Sequence, residues 1–201
     1  MILLIICDAD RRILWFSLGD YGHLSDTSAL AHSSLPRKLA NGECNLPAPR
    51  ALPGTDVVLP HFFVCDEIFA LKENFMKPYS RRLGLSESQK AFNFRHSRGR
   101  MPSECTFGGV DKKWEILDSP LRFDLEVTKD VLVTIMCLNN YLITDANPEL
   151  QDFGAGLPED FDVEANHAYQ PLAPNAIRDR LAQFFSPGGA GHLPWQDQYI
   201  H

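Results

Sequence analysis

The chain has 201 residues, of which 44% are hydrophobic and 22% charged, and its formal net charge is −7. These proportions are those of an ordinary globular protein and exclude a chain that is disordered throughout. No apolar run reaches the roughly 18–20 residues of a membrane-spanning helix, and the apolar start lacks the basic residues and cleavage site of a signal peptide. We therefore expect a soluble, intracellular protein with one domain and a tail, and no membrane partner.

The five cysteines are scattered and form neither a C-x-x-C pair nor a cluster with histidine. This distribution argues against a disulfide framework and against a structural zinc site. Cys7, Cys65 and Cys137 lie within apolar runs and are predicted to be small core residues.

The N-terminal part is predicted to be mostly extended. Strands Ile2–Cys7 and Arg12–Leu18 are joined by a turn of hairpin length. A helix is expected to begin at residues 25–27, and the Pro- and Gly-rich residues 41–56 are typical of a loop. Val57–Cys65 is predicted to be a strand buried on both faces, because its last four residues are all apolar.

The following part is predicted to be helical. Ser86 and Gln89 fit a capping box that begins a helix. A second helical stretch is expected over residues 103–117, interrupted by two glycines, and Leu125–Leu142 has the apolar spacing of a core-facing helix.

Strands followed by helices, with a parallel-type central strand, predict a layered α/β domain. We place this domain at residues 1–143. Residues 144–201 are predicted to be an acidic linker and a C-terminal tail with a short helix at 176–185.

Basic residues concentrate between positions 72 and 113. This stretch has ten Lys or Arg against four Asp or Glu, whereas the rest of the chain has nine basic and 22 acidic residues. Such asymmetry is typical of a segment that faces a polyanion within an acidic protein. A solvated helix face would give the same pattern, so the charge alone leaves both interpretations open.

Three carboxylates are notable for their positions. Asp26 follows a glycine-containing turn, Asp66 ends a predicted buried strand, and Glu104 lies in a helical stretch near several arginines. Open α/β sheets place their sites at such strand ends. Convergent carboxylates suit Mg²⁺ or Mn²⁺, and two such ions can cleave phosphodiesters. Alternatively, Asp26 and Asp66 cap the helices that follow them.

A series of short motifs extends along nearly the whole chain. They are Cys7-Asp-Ala-Asp10, Gly22-His-Leu-Ser-Asp26, Val64-Cys-Asp-Glu-Ile-Phe-Ala-Leu-Lys72, Asn74-Phe-Met-Lys-Pro-Tyr79, Phe92-Asn-Phe-Arg-His-Ser-Arg98, Glu104-Cys-Thr-Phe-Gly108, Trp114-Glu-Ile-Leu117, Cys137-Leu-Asn-Asn-Tyr-Leu142, Ile177-Arg-Asp-Arg-Leu181 and Pro194-Trp-Gln196. In this order the motifs resemble those of the nuclease domain of PIF/Harbinger-type transposases and their domesticated relatives, which are DDE superfamily endonucleases.

The resemblance implies an RNase H-like fold, a mixed sheet flanked by helices, and metal-dependent cleavage and joining of DNA. Asp66 matches the second catalytic Asp, and Glu104 matches the catalytic Glu. Asp26 matches a further acid at the metal site, so Asp26, Asp66 and Glu104 are the expected ligands of Mg²⁺ or Mn²⁺.

The resemblance also implies partners and a location. The basic stretch falls where DNA phosphates would be neutralised. The expected DNA contacts are Arg81, Arg82, Lys90, Arg95, Arg98 and Arg100. For Arg95 and Arg98, ion pairs that fix the local helix are an equal alternative. A separate Myb-like DNA-binding protein is the implied partner, and the nucleus, with the cytoplasm as a further location, is the implied compartment.

Three departures from the family pattern affect these expectations. The family's first catalytic Asp lies on a strand upstream of Ile2–Cys7, and this sequence has no such residue there. We therefore expect an N-terminally truncated domain that lacks its first central strand. Pro102 stands two residues before Glu104, which predicts that the helix begins there or bends. The family's Leu-His-Asn is Leu138-Asn139-Asn140 here, and Gly109 adds a second helix-weakening glycine.

Two functions are compatible with this pattern. The first is a transposase-derived DDE-type nuclease domain that acts on DNA phosphodiesters with a divalent metal, impaired by the loss of the first catalytic Asp. The second is a catalytically inactive domesticated remnant that serves as a DNA- or protein-binding module.

Overall fold

The computed structural model describes residues 2–20, 24–146 and 171–200. Contacts along the chain divide it into two units. Unit 1 comprises Met1–Ser25 and Met101–Val163, and unit 2 comprises Asp26–Arg100 and Glu164–His201. Each unit therefore joins two stretches that are far apart in the sequence.

Unit 1 begins with the predicted hairpin, which is confirmed. Strand β1 (Ile2–Cys7) pairs antiparallel with β2 (Ile13–Asp20). In the turn between them, Asp8 Oδ1 accepts the backbone N–H groups of Asp10 at 3.0 Å and Arg12 at 2.9 Å. An Asp side chain that bonds the backbone two residues further on is a common turn former. Asp8 therefore has a structural role in this turn.

The core of unit 1 lies where β2 meets two helices, α3 (Glu87–Lys113, whose residues from 101 onward belong to this unit) and α4 (Leu125–Ala146). Its buried residues are Ile13, Val110, Ile135 and Met136. Asn140 of α4 adds a polar contact: its Oδ1 accepts the backbone N–H of Ile13, and its Nδ2 donates to the carbonyl of Ile13, both at 2.8 Å. The start of β2 is thereby bound to α4.

Unit 2 combines short helices and very short strands. Its elements are α1 (Asp26–His32), α2 (Leu35–Ala40), β3 (Arg50–Ala51), β4 (Val58–Leu59), β5 (Phe63–Val64), β6 (Phe75–Met76), the first half of α3 and α5 (Pro174–Phe185). Strands β3 and β4 pair antiparallel, and β5 and β6 pair parallel. Its core consists of Leu59, Met76, Tyr79, Phe92, Ile177, Leu181 and Ala182. The C-terminal helix α5 is therefore part of this core.

The prediction of one buried strand over Val57–Cys65 is wrong. The segment holds two separate two-residue strands, and Phe63 is half-buried whereas Val64 is exposed. Pro60 lies between the strands and has no N–H to donate to a ladder, so a continuous strand is disfavoured there. Apolar side chains alone do not distinguish a strand from a packed loop.

The prediction of two helical stretches around Pro102 is also wrong, because α3 is one helix with this proline in its interior. A proline inside a helix costs about 3 kcal/mol. Side chains on both sides of it are buried, Phe92 before and Thr106 after, and the Thr106 hydroxyl donates to the Pro102 carbonyl at 2.8 Å. This packing offsets the weak local propensity.

Other predicted helices are confirmed. Ser86 Oγ accepts the backbone N–H of Gln89 at 3.3 Å, and Gln89 Oε1 accepts that of Ser86 at 3.1 Å, which is the predicted capping box at the start of α3. Helices α4 and α5 occur where expected. Most of the predicted acidic linker, residues 147–170, lies outside the described residues. Among the helices that are described, none is both long and apolar enough to cross a bilayer.

The five cysteines are all unpaired, but their burial differs from the expectation. Cys7 and Cys65 are half-buried, and Cys137 is exposed, so its assignment to the core is wrong. Cys137 lies on α4 next to the buried Met136, on the opposite side from the core, because neighbouring helix positions point in different directions.

The structure is a mixed α/β arrangement of small sheets and helices. Over residues 2–20, 24–146 and 171–200, the strands form three separate two-stranded sheets. The finer RNase H-like assignment, the truncation and the domain boundary at residue 143 stay predictions.

We predict that replacing glycine by alanine stabilises the protein at two positions in α3 and destabilises it at a third position, Gly42. All three positions have open space for a Cβ atom. Gly108→Ala and Gly109→Ala lie inside α3 and should each raise the free energy of unfolding by about 0.5–1 kcal/mol, because alanine loses less backbone entropy. Gly42→Ala should lower it, because Gly42 has φ of +70°, which a Cβ atom disfavours. Urea unfolding of the three variants measures this, and equal signs at Gly108 and Gly42 would contradict it.

Candidate functional site

Asp66 directly follows the paired end of β5. The Cys65 N–H donates to the Met76 carbonyl at 2.9 Å, and the chain then leaves the ladder. Asp66 Oδ1 accepts the Glu67 N–H at 2.6 Å, and its backbone carbonyl accepts the Phe69 N–H at 3.2 Å. Asp66 thus shapes a turn, and the alternative that it caps a helix is wrong, because the residues after it form turns.

The carboxylate of Asp66 faces a cation from α3. Its Oδ2 lies 3.5 Å from Nη2 of Arg100, and about half of the Asp66 side chain is exposed. An ion pair of this length and exposure contributes little to stability, about 0–1 kcal/mol. It nevertheless places a positive charge beside the oxygen that a metal ion would use. Arg100, an expected DNA contact, is therefore a partner of the expected catalytic acid.

Two side chains with shifted pKa values, His96 and Cys65, interact with the charges of this pair. His96, buried on α3, donates Nε2–H to the Met76 carbonyl at 2.9 Å. Burial lowers the pKa of His96, and the positive charge of Arg100 lowers it further, while the hydrogen bond to Met76 and the charge of Asp66 act against this. Burial raises the pKa of the Cys65 thiol to about 11. At neutral pH both side chains are uncharged, and the positive charges of Lys77 and Arg100 act against the rise in the pKa of Cys65.

The two other expected metal ligands are both exposed. Glu104 is an exposed residue of α3 in unit 1, and Asp26 is the exposed first residue of α1 in unit 2. An acid in the first turn favours a helix through its dipole, and Asp26 occupies that position in α1.

Among the residues that the structure describes, neither unit holds three or more His, Cys, Asp or Glu side chains that could bind one ion. Two-metal cleavage needs several carboxylates that converge. Asp66 supplies one, and its oxygens contact a backbone N–H and a guanidinium. The donor set within either unit therefore does not fit a Mg²⁺ or Mn²⁺ centre.

The six basic residues expected to contact DNA all belong to unit 2, in three different settings. Arg81 and Arg82 are exposed in a 3₁₀ turn at Arg81–Leu83, and Lys90 is half-buried near the start of α3. The guanidinium of Arg95 lies 5.0 Å from the ring centre of Phe185, and that of Arg98 lies 5.0 Å from Trp195. Arg100 pairs with Asp66.

The local partners of Arg95 and Arg98 are thus aromatic rings of the C-terminal segment. The structure shows no ion pair of either residue with another described residue. Guanidinium groups over aromatic faces contribute about 0.5–1 kcal/mol at exposed sites. Sequence reasoning missed this arrangement because the partners lie some 90–100 residues away in the chain.

Tyr79 contacts residues of two other motifs, those at 92–98 and 177–181. Asn93 of α3 accepts its backbone N–H at 2.8 Å and donates to its carbonyl at 2.9 Å. The Tyr79 hydroxyl donates to Asp179, and the Arg178 guanidinium lies 4.0 Å from the centre of its ring. Burial and the neighbouring Asp179 carboxylate raise the pKa of Tyr79.

The tail motif at residues 194–196 also makes contacts within unit 2. Gln196 is fully buried, and its Nε2 donates to the carbonyl of Phe185 at 2.7 Å, at the end of α5. The first residues after a helix commonly satisfy such free carbonyls. The motifs at 74–79, 92–98, 177–181 and 194–196 therefore bind one another in unit 2, a role that their spacing alone did not indicate.

The sequence model of the family described as DDE superfamily endonuclease matches residues 1–140. Since the match covers more than half of the chain, the chain belongs to this family, whose members typically use a divalent metal to act on DNA. No curated protein and no solved structure matches the chain.

We predict that His96 makes stability depend on pH. Its pKa in the folded state lies below the ordinary value of 6.5, so the unfolded chain binds more protons as the pH falls. The contribution is complete above pH 6.5 and is lost below it. His96→Gln, which keeps a donor for the Met76 carbonyl, should show a smaller loss of unfolding free energy between about pH 7.5 and about pH 5.5.

Chemical denaturation at several pH values measures this difference, because the other histidines contribute equally to both proteins. Parallel stability curves for the wild type and His96→Gln would contradict the assignment.

Proposed function

We propose that this chain is a nuclease domain derived from a PIF/Harbinger-type transposase, with an RNase H-like fold, that binds DNA but cleaves its phosphodiesters poorly. The family match supports the nuclease class. The order of the short motifs supports the Harbinger subtype. Asp66 and Glu104 are the proposed catalytic acids, and Asp26 is a further proposed ligand of Mg²⁺ or Mn²⁺.

The contact between Asp66 and Arg100 is the observation that carries the proposed impairment. A catalytic carboxylate must offer its oxygens to a metal ion, yet Asp66 Oδ2 lies 3.5 Å from a guanidinium. A bound cation and Arg100 repel one another at this distance. Metal binding at Asp66 therefore has to displace Arg100 or tolerate it, and either requirement weakens binding.

The charge of residues 72–113 supports DNA binding. Arg81 and Arg82 are exposed, and neither forms an ion pair with the residues described. Such side chains can neutralise phosphates without first breaking an internal contact. Lys90, Arg95, Arg98 and Arg100 complete the proposed DNA-binding set.

The donor set of each unit favours the second candidate, an inactive binding module. Among the described residues, neither unit groups three or more His, Cys, Asp or Glu side chains that could bind one ion. A domain that only binds DNA or protein does not need such a group. We propose a separate Myb-like protein as the partner and the nucleus as the main location, with the cytoplasm as a further one, on the basis of the subtype.

We predict that the purified chain does not nick supercoiled plasmid in Mn²⁺ above the level of a Glu104→Ala control. Titration calorimetry with Mn²⁺ should give weak binding in the wild type, weaker binding in Asp66→Ala and tighter binding in Arg100→Ala, because the last variant removes the competing cation. Equal heats in the three proteins would disprove a metal site at Asp66. Nicking that Glu104→Ala abolishes would disprove the impairment.

We further predict sequence-independent DNA binding that depends on Arg81, Arg82 and Lys90. Reversing these three charges to Glu should weaken binding and lower the slope of log K against log salt by about three, if each contacts one phosphate. The matched control Arg37→Glu/Arg50→Glu/Arg122→Glu changes the net charge equally. Fluorescence anisotropy with unrelated duplexes measures both. Equal binding by the two triple variants would show that the patch is only a solvated face.

A further inference from the structure

Two faces of helix α4 carry no charged side chain. Its buried residues lie on one face, toward the core of unit 1. A second set is spaced by four, three, four and three positions, which places it along one line of a helix. This set, here named the α4 stripe, is Val127, Val131, Thr134, Leu138 and Tyr141.

The α4 stripe is largely uncovered. Val127 is 46% exposed, Leu138 41% and Tyr141 65%. The Thr134 hydroxyl donates to the Asp130 carbonyl at 2.7 Å, so its polar group is already satisfied within the helix. At 1.5 Å per residue, the stripe from Val127 to Tyr141 is about 21 Å long.

A groove runs beside this stripe. It has a volume of about 350 Å³ and is lined by Trp114 and Ile116 together with Val127, Val131 and Leu138. The indole N–H of Trp114 is buried and has no hydrogen-bond partner among the residues described. A mainly apolar groove beside a stripe of this length fits the apolar side of another helix better than a compact ligand.

The acidic side chains around the groove indicate the charge of the molecule that binds there. Residues 114–146 contain six acidic and two basic side chains, and all six acids are exposed. One of them, Asp130, lines the groove itself. A second copy of this acidic surface would bring like charges together across a two-fold interface, which disfavours self-association. A helix that carries Lys or Arg beside its apolar face is complementary.

We propose that the α4 stripe and the adjoining Trp114 groove form a docking site for a basic amphipathic helix of a partner protein. The apolar side of that helix covers Val127, Val131 and Leu138, and its basic residues face Asp130 and Glu126, the second of which also pairs with Lys129 at 2.9 Å. None of these residues is a proposed catalytic acid or DNA contact, so the docking site is independent of the proposed function.

A labelled synthetic helix of leucine and lysine, with leucine at positions three and four apart, provides the probe. Its binding to the full chain is measured by fluorescence anisotropy, beside a matched helix of leucine and glutamate. Val127→Ser/Leu138→Ser should weaken binding of the lysine helix by at least about tenfold, because it removes central apolar contacts without adding charge. Leu14→Ser/Ile68→Ser replaces two apolar residues elsewhere that are more exposed, and should leave binding unchanged.

A second pair of variants tests the charge without altering apolar surface. Glu126→Gln/Asp130→Asn should weaken binding and reduce its salt dependence, whereas Asp56→Asn/Glu67→Gln, with the same net charge, should not. The docking site is disproved if the lysine helix fails to bind, if the glutamate helix binds equally well, or if all variants bind alike. It is also disproved if sedimentation shows a dimer that Leu138→Glu dissociates, because a second copy would then be the occupant.

Discussion

Two asparagine side chains bind the helices of this protein to its extended segments, and both do so in the same way. Asn93 pairs with the backbone N–H and carbonyl of Tyr79, and Asn140 pairs with those of Ile13. A primary amide has the donor and acceptor of a peptide group, so it can pair with a residue as a neighbouring strand would. Loss of either side chain would leave two backbone groups unpaired. Each group that stays buried without a partner would lower the free energy of unfolding by about 1–3 kcal/mol. Because the strands of unit 2 are only two residues long, such side-chain contacts replace much of the ladder that a larger sheet would provide.

The position of Asp66 depends on the first of these contacts. Asn93 holds Tyr79, and His96, one turn further along the same helix, bonds the carbonyl of Met76. Strand β6 is therefore bound along α3, and β5 is bound to β6. Asp66 follows β5 and meets Arg100, which lies one turn beyond His96 on α3. The candidate acid and its cationic neighbour are thus both positioned by the regular spacing of one helix.

Local patterns predicted the elements that depend on local physics. The hairpin follows from the turn at Asp8, and the start of α3 follows from the capping box at Ser86. The error at Val57–Cys65 arose because Pro60 interrupts an apolar run that otherwise resembles a strand, and the error around Pro102 arose because packing outweighs the local preference of a proline. The candidate site was predictable only in part. The resemblance to a family singled out Asp66, but the contact with Arg100 joins residues 34 positions apart and has no local signature. Likewise, the ring contacts of Arg95 and Arg98 depend on a tail that the sequence alone does not place beside α3.

The discontinuous make-up of both units determines the order in which they can form during synthesis. The bond between Tyr79 and Asp179 spans 100 residues, and that between Ile13 and Asn140 spans 127. Ile177 and Leu181, which belong to the core of unit 2, are synthesised well after Leu59 and Met76, which share that core. Neither unit can therefore complete its core until its later stretch has been synthesised, and until then the apolar side chains of β1, β2 and Leu59–Met76 lack their final partners. Long-range closure of this kind slows folding and prolongs exposure of apolar surface. Production of this protein should accordingly be sensitive to chaperone supply and to growth temperature, independently of how stable the finished fold is.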